Sequence, residues 1–301
     1  MKKKFNSLKM GCNFCRKQGY QRINYLAPEE KEIVLKDYSS PNDELLNILE
    51  STHNYFTQVQ LVDFVNLLEQ FSLETSGVIT DEPMHSNFSS KDEFLFKSLT
   101  LEEFQSFIEN KILILEDISN SIKKEDIIIF NQFCNEMYQT LESKLKEHYN
   151  NSENSFKLIK KRNILAFGIL FCDCENIEKI KLFFDIFKDD EKNEFCKSDE
   201  LNDFLITLFL ISSYCLITSR KNIVNEQKGI RQLNENELLN LYETSDLQNC
   251  EQLVERFNYT FFTKDGYNWD DFKKQFIDID YGFGWVLSSK GIRRKLELIK
   301  T

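Results

Sequence analysis

The sequence predicts an all-α protein whose helices come as helix–loop–helix units paired in two lobes, and three observations carry that prediction. Nine glycines and three prolines in 301 residues leave few tight turns, which disfavours a many-stranded sheet. Helix-start signals recur along the chain, and apolar residues follow them at helical spacing. With 41% apolar residues, a chain of this length can bury a sizeable core. Composition divides it into a basic N-terminus (1–22), a first helical lobe (23–173) with an insertion near 80–98, a second lobe (174–280) and an aromatic, basic tail (281–301).

In the first lobe, Leu26-Ala27-Pro28-Glu29-Glu30 marks a helix start, with proline at the first helical position and acids in the first turn. From residue 56 one device recurs: an apolar residue, a capping side chain, then Glu, Gln or Asp three residues later, followed by another apolar residue. Phe56-Thr57 with Gln60-Leu61 fits it, as do Leu99-Thr100 with Glu103-Phe104, Leu233-Asn234 with Glu237-Leu238, and Tyr267-Asn268 with Asp271-Phe272. Each combines a capping box with a hydrophobic staple. Ile127 to Tyr149 and Ile159 to Cys172 read as further helices. Ile177, Ile180, Phe184 and Phe187 form a stripe leading into an acidic loop, and a helix over Leu253 to Phe262 precedes the last unit. Four helix–loop–helix units result, at about 57–117, 124–173, 175–217 and 237–279.

Charge narrows the partners. The net charge is −11, yet residues 1–28 carry seven Lys or Arg and no acid. The acidic body should repel nucleic acid, while the N-terminus should attract anionic surfaces. The eight cysteines lack the spacing of a disulfide framework, so a reducing, cytoplasmic setting is expected, with membrane association through the N-terminus and a mitochondrial presequence as the lesser alternative. Phe204 to Ser219 lacks charge for sixteen residues, short of the roughly twenty that span a bilayer, and is expected to be a buried helix.

The stretch from Phe183 to Leu210 reads as helix, acidic loop and apolar helix. A calcium loop places oxygen ligands at positions 1, 3, 5 and 12, glycine at 6 and an apolar residue at 8. The incoming helix puts position 1 at Lys188, whereas the outgoing helix puts it at Asp189. The second register makes Asp189, Glu191, Asn193 and Glu200 candidate calcium ligands, with Glu194 at the glycine position. Ser72 to Ile79 supplies another half-loop, with oxygen side chains at 1, 3 and 5 and Gly77 at 6, but Pro83 at 12. Lys264 to Phe272 looks like a loop ending one residue too short.

This arrangement resembles the EF-hand superfamily over roughly residues 50–280, by helix pattern more than by ligands. Met10-Gly11-Cys12-Asn13-Phe14-Cys15, followed by Leu26-Ala27-Pro28-Glu29-Glu30, is similar to the N-terminal region of TLDc-domain proteins of the MTOR-associated type, here without the TLDc domain. The resemblance implies a helical regulatory or docking region and makes Gly11, Cys12 and Cys15 candidates for lipidation. Two such signals, or one beside Arg16, Lys17 and Arg22, anchor a protein stably where one acyl chain does not.

Catalysis is not expected. His53, His85 and His148 are isolated, and there is no phosphate-binding glycine loop, zinc-protease helix or dinucleotide fingerprint. Cys172 and Cys174 read as core and surface, with nothing basic nearby to hold a thiolate. The expected function is a non-catalytic scaffold or adaptor. A protein partner, a helical segment or a larger assembly, would dock in a groove containing Phe184, Phe187, Phe204, Trp269 and Trp285. The alternative is a calcium sensor using the loop at 189–200. Tyr281-Gly282-Phe283-Gly284-Trp285 either fills the groove from within or binds the partner.

Overall fold

The helix start specified at Thr100 is formed as specified, while those at Leu26 and Asn234 lie outside the described residues. The computed structural model describes residues 54–76, 98–149, 159–189, 191–216, 218, 247–277 and 282–299. At Thr100 the hydroxyl accepts from the Glu103 amide and the Glu103 carboxylate accepts from the Thr100 amide, a complete capping box opening α2 (Leu101–Phe107). The chain then widens into a π-helical turn, Ile108–Ile112. Thr57 does not start a helix. A 3₁₀ turn, Tyr55–Gln58, comes first, and α1 (Leu61–Ser76) begins after Gln60, whose side chain donates to Asp173 across the fold. A long-range partner here outbids the local cap.

The predicted half-loop from Ser72 is likewise helix as far as Ser76, and its remaining residues lie outside those described. Ser72 donates back to the Leu68 carbonyl, Thr75 donates to the Phe71 carbonyl, and Glu74 pairs with Lys111. Oxygen side chains that could ligate a cation serve equally for bonding back along a helix. Beyond α3 (Glu116–Ser121) and the long α4 (Lys124–His148), the helix α5 (Lys161–Phe171) is buried on all sides, packed between α1 and α7. A Cβ on Gly168 would stand 2.7 Å from the Phe64 ring, so glycine sets the approach of α5 to α1.

The second half contains two helix–loop–helix units. In the first, α6 (Asn176–Phe187) runs through β1 (Lys188–Asp189) and β2 (Glu194–Cys196) into α7 (Asp199–Leu210), capped by Ser198. In the second, α8 (Leu247–Phe261) runs through β3 (Gly266–Tyr267) into α9 (Trp269–Ile277). The strands form one antiparallel sheet in the order β1-β2-β3, in which Phe195 sits opposite Tyr267. Loop is thereby joined to loop while α6 packs on α9 and α7 on α8. The protein is mostly helical, as expected, with this small sheet added.

A second π-helical turn, Ile211–Cys215, extends α7. Such a turn breaks the regular i→i−4 ladder, and Arg293 of α10 (Ser289–Ile299) donates to the Ser212 carbonyl at 2.8 Å. Arg293 is 4% exposed, so the predicted basic tail is partly interior. The uncharged stretch after Phe204 is, as far as it is described, buried apart from half-buried Tyr214 and Thr218, and no helix among the described residues is long and apolar enough to cross a membrane. Buried side chains from Phe56 to Leu296 make one continuous core, running across the boundary at 173/174.

Candidate functional site

In the acidic loop Asp189 bonds to the loop's own backbone. Asp189 Oδ1 accepts from the amides of Glu191 and Lys192, both at 2.9 Å, and the Asp189 carbonyl accepts from the Asn193 amide. Asn193 closes this hairpin with φ 53°, the left-handed conformation that asparagine tolerates. Glu191, Asn193 and Glu200 are exposed. Glu200, in the first turn of α7, lies near enough to Lys160 and Arg162 to act on both. Asp189 and Asn193 therefore belong to a turn, and Glu200 faces a basic pair. Among the described residues, no cluster of three or more His, Cys, Asp or Glu could hold a metal ion.

In the second loop Asn268 caps α9 through the Asp271 amide, as expected, but the Asp271 carboxylate turns to Lys264 at 2.6 Å instead of back to its cap. That hydrogen bond raises the pKa of Lys264 and lowers that of Asp271. The Lys264 ammonium also lies 4.6 Å from the centre of the Tyr267 ring, and the Tyr267 hydroxyl donates to the Phe261 carbonyl. A lysine cation and a tyrosine tie this loop together.

The five aromatic residues expected in a groove fall into separate packing contacts. Phe184 and Trp269 meet edge to face at 5.4 Å, and Phe187 meets Phe204 at 5.1 Å. Trp285 stacks on Phe209 at 5.6 Å. Phe184, Phe204 and Trp285 are buried; Phe187 and Trp269 are half-buried against the core. Phe283 and Trp285 both contact Phe257 of α8, so the aromatic tail fills this space from within. Phe183, absent from the predicted stripe, is the ring around which Phe187, Phe195, Phe204, Phe272 and Phe276 gather.

A cleft of about 1080 Å³ lies open between α7 and α8, which sequence reasoning did not single out. Its apolar part is Ile206, Val254 and Phe262, and Tyr259 stands 87% exposed beside them. Asn258 donates to Asn202 across the two helices, at 2.8 Å. Asp203 receives Arg162, and His148 at the end of α4 lies 2.7 Å from Glu251. Asp199, Glu255 and Asp265 also line the cleft and make no ion pair with the described residues, leaving its charge negative. The exposed tyrosine on a strongly amphipathic α8 was the one sequence signal that could have pointed here.

No family model, curated protein or solved structure matches this chain. The likeness drawn from helix pattern and from residues 10–30 therefore gains no support there, and Gly11, Cys12 and Cys15 lie outside the described residues. The described cysteines form no disulfide with one another. Burial pushes Cys172 and Cys215 up, and Cys174 up to about 11, which disfavours the reactive thiolate.

Proposed function

We propose that this protein is a non-catalytic helical adaptor whose second half is an EF-hand-like pair set without calcium, and that it docks a helical segment of a protein partner in the cleft between α7 and α8. The observation that carries this reading is the cleft itself, an apolar floor with an exposed tyrosine and carboxylates that pair with no described cation. A helix offering apolar anchors at i, i+3 and i+4 between basic residues meets both halves of that chemistry. Support for the pair comes from the antiparallel contact between the two loops, Phe195 opposite Tyr267. Support for calcium independence comes from Lys264, whose ammonium occupies the carboxylate of Asp271, and from Asp189, whose carboxylate holds its own turn.

The test is affinity purification of the intact protein from its native cell, in calcium and in chelator, beside a Glu255→Gln/Tyr259→Ala variant. One partner is expected to be retained equally in both conditions and lost from the variant. Retention that requires calcium, or that survives in the variant, overturns the reading.

A further inference from the structure

The cleft has an occupant of matching chemistry in the same chain. Residues 1–22 carry seven Lys or Arg and no acid, with Phe5, Leu8, Met10, Phe14 and Tyr20 set among them. We infer that this segment docks in cis into the cleft between α7 and α8, so that a partner must displace it; the inference rests on the reading of that cleft as a docking site.

Charge decides the match. Of the lysines lining the cleft, Lys264 is engaged by Asp271, which leaves Lys197 with Asp199, Glu255 and Asp265 among the described lining residues. A basic segment neutralises this excess, whereas an acidic or purely apolar one leaves carboxylates unpaired beside a covered surface. The apolar residues of 1–22 supply what the charges do not, side chains for Ile206, Val254 and the exposed ring of Tyr259. Reach is no obstacle. Residues 23–53 separate the segment from Asn54, a length of chain whose span is at most roughly 100 Å. Tethered at such a distance, the segment has an effective concentration that lets even a weak contact fill the cleft, as for any intramolecular ligand.

The test uses the full chain and a fluorescent synthetic peptide of residues 1–22, with binding read by anisotropy. The wild type, its cleft filled, is expected to bind the peptide at least about tenfold more weakly than a full-length variant with Lys2, Lys3, Lys4 and Lys9→Glu, because apparent affinity scales with the fraction of vacant sites. Adding Glu255→Gln/Tyr259→Ala to that variant should abolish binding. Equal affinities for wild type and the Lys→Glu variant overturn cis docking, as does binding by neither. In both cases the docking reading still stands or falls separately, on partner retention.

Anionic vesicles of phosphatidylserine and phosphatidylcholine supply a second readout. If the segment is held in the cleft, Glu255→Gln/Tyr259→Ala releases it and strengthens vesicle binding by the full chain. Unchanged vesicle binding overturns the inference and makes the membrane the partner of this segment.

Discussion

Thr207 carries two hydrogen bonds on one oxygen at the contact of α5 with α7. Its hydroxyl donates to the Asp203 carbonyl and accepts from Asn163 Nδ2 at 2.6 Å, while Asn163 Oδ1 accepts from the Lys160 amide at the start of α5. Thr207→Val keeps the shape and removes the acceptor. The buried Asn163 amide is then unpaired, which costs about 1–3 kcal/mol, and urea unfolding should show a lower midpoint with unchanged slope. Glu69 makes a prediction of the opposite sign. Burial holds its carboxyl above the ordinary range, so the folded chain binds that proton more tightly than the unfolded chain does. Stability is therefore lost as pH rises from the ordinary Glu range through the raised folded value. Glu69→Gln should melt higher than wild type at about pH 7, and the difference should close below about pH 4.

At the scale of elements, close approach is set by single atoms. Gly168→Ala improves intrinsic helix propensity by about 1 kcal/mol, but the new methyl meets Phe64 at 2.7 Å and Leu61 at 3.2 Å. Overpacking of a buried crossing costs about 1–3 kcal/mol, so we expect a net loss of up to about 2 kcal/mol by thermal melting. The caps at Thr100 and Asn268 were legible because everything they need lies within four residues. The start at Leu61 was not, because Gln60 bonds to Asp173, 113 positions away. Ser72 shows the same limit in reverse. A serine, a glutamate and a second serine at alternate positions read as loop ligands, yet the residues before Gly77 continue a helix already packed against its neighbours. Periodicity found α6 but placed its stripe on Ile177 and missed Phe183, which only the arrival of β2, α7 and α9 makes central.

For the molecule as a whole, one continuous core implies one cooperative unfolding unit. Phe183 is fully buried among rings from three other segments of the second half. Phe183→Ala should cost about 3–5 kcal/mol. Because the core crosses from Phe56 to Leu296, far-UV and near-UV signals should still fall together in urea, with no separate loss of the second half. Two transitions would show that the halves fold apart. The candidate cleft was the least legible feature of all. Its walls come from α7 and α8, whose residues Ile206 and Val254 are far apart in sequence, and its charge emerges only once Arg162, His148 and Asp271 have claimed their partners.

The ion pair of Lys264 with Asp271 also bears on how the second loop could be controlled. An ion taken from solution can leave, and its departure tells a protein something about its surroundings. An ammonium group joined to the same backbone never dilutes, so on the proposed reading the loop it steadies receives no report of ion supply. On that reading its setting is inherited with the sequence, and a change to that lysine would revise it.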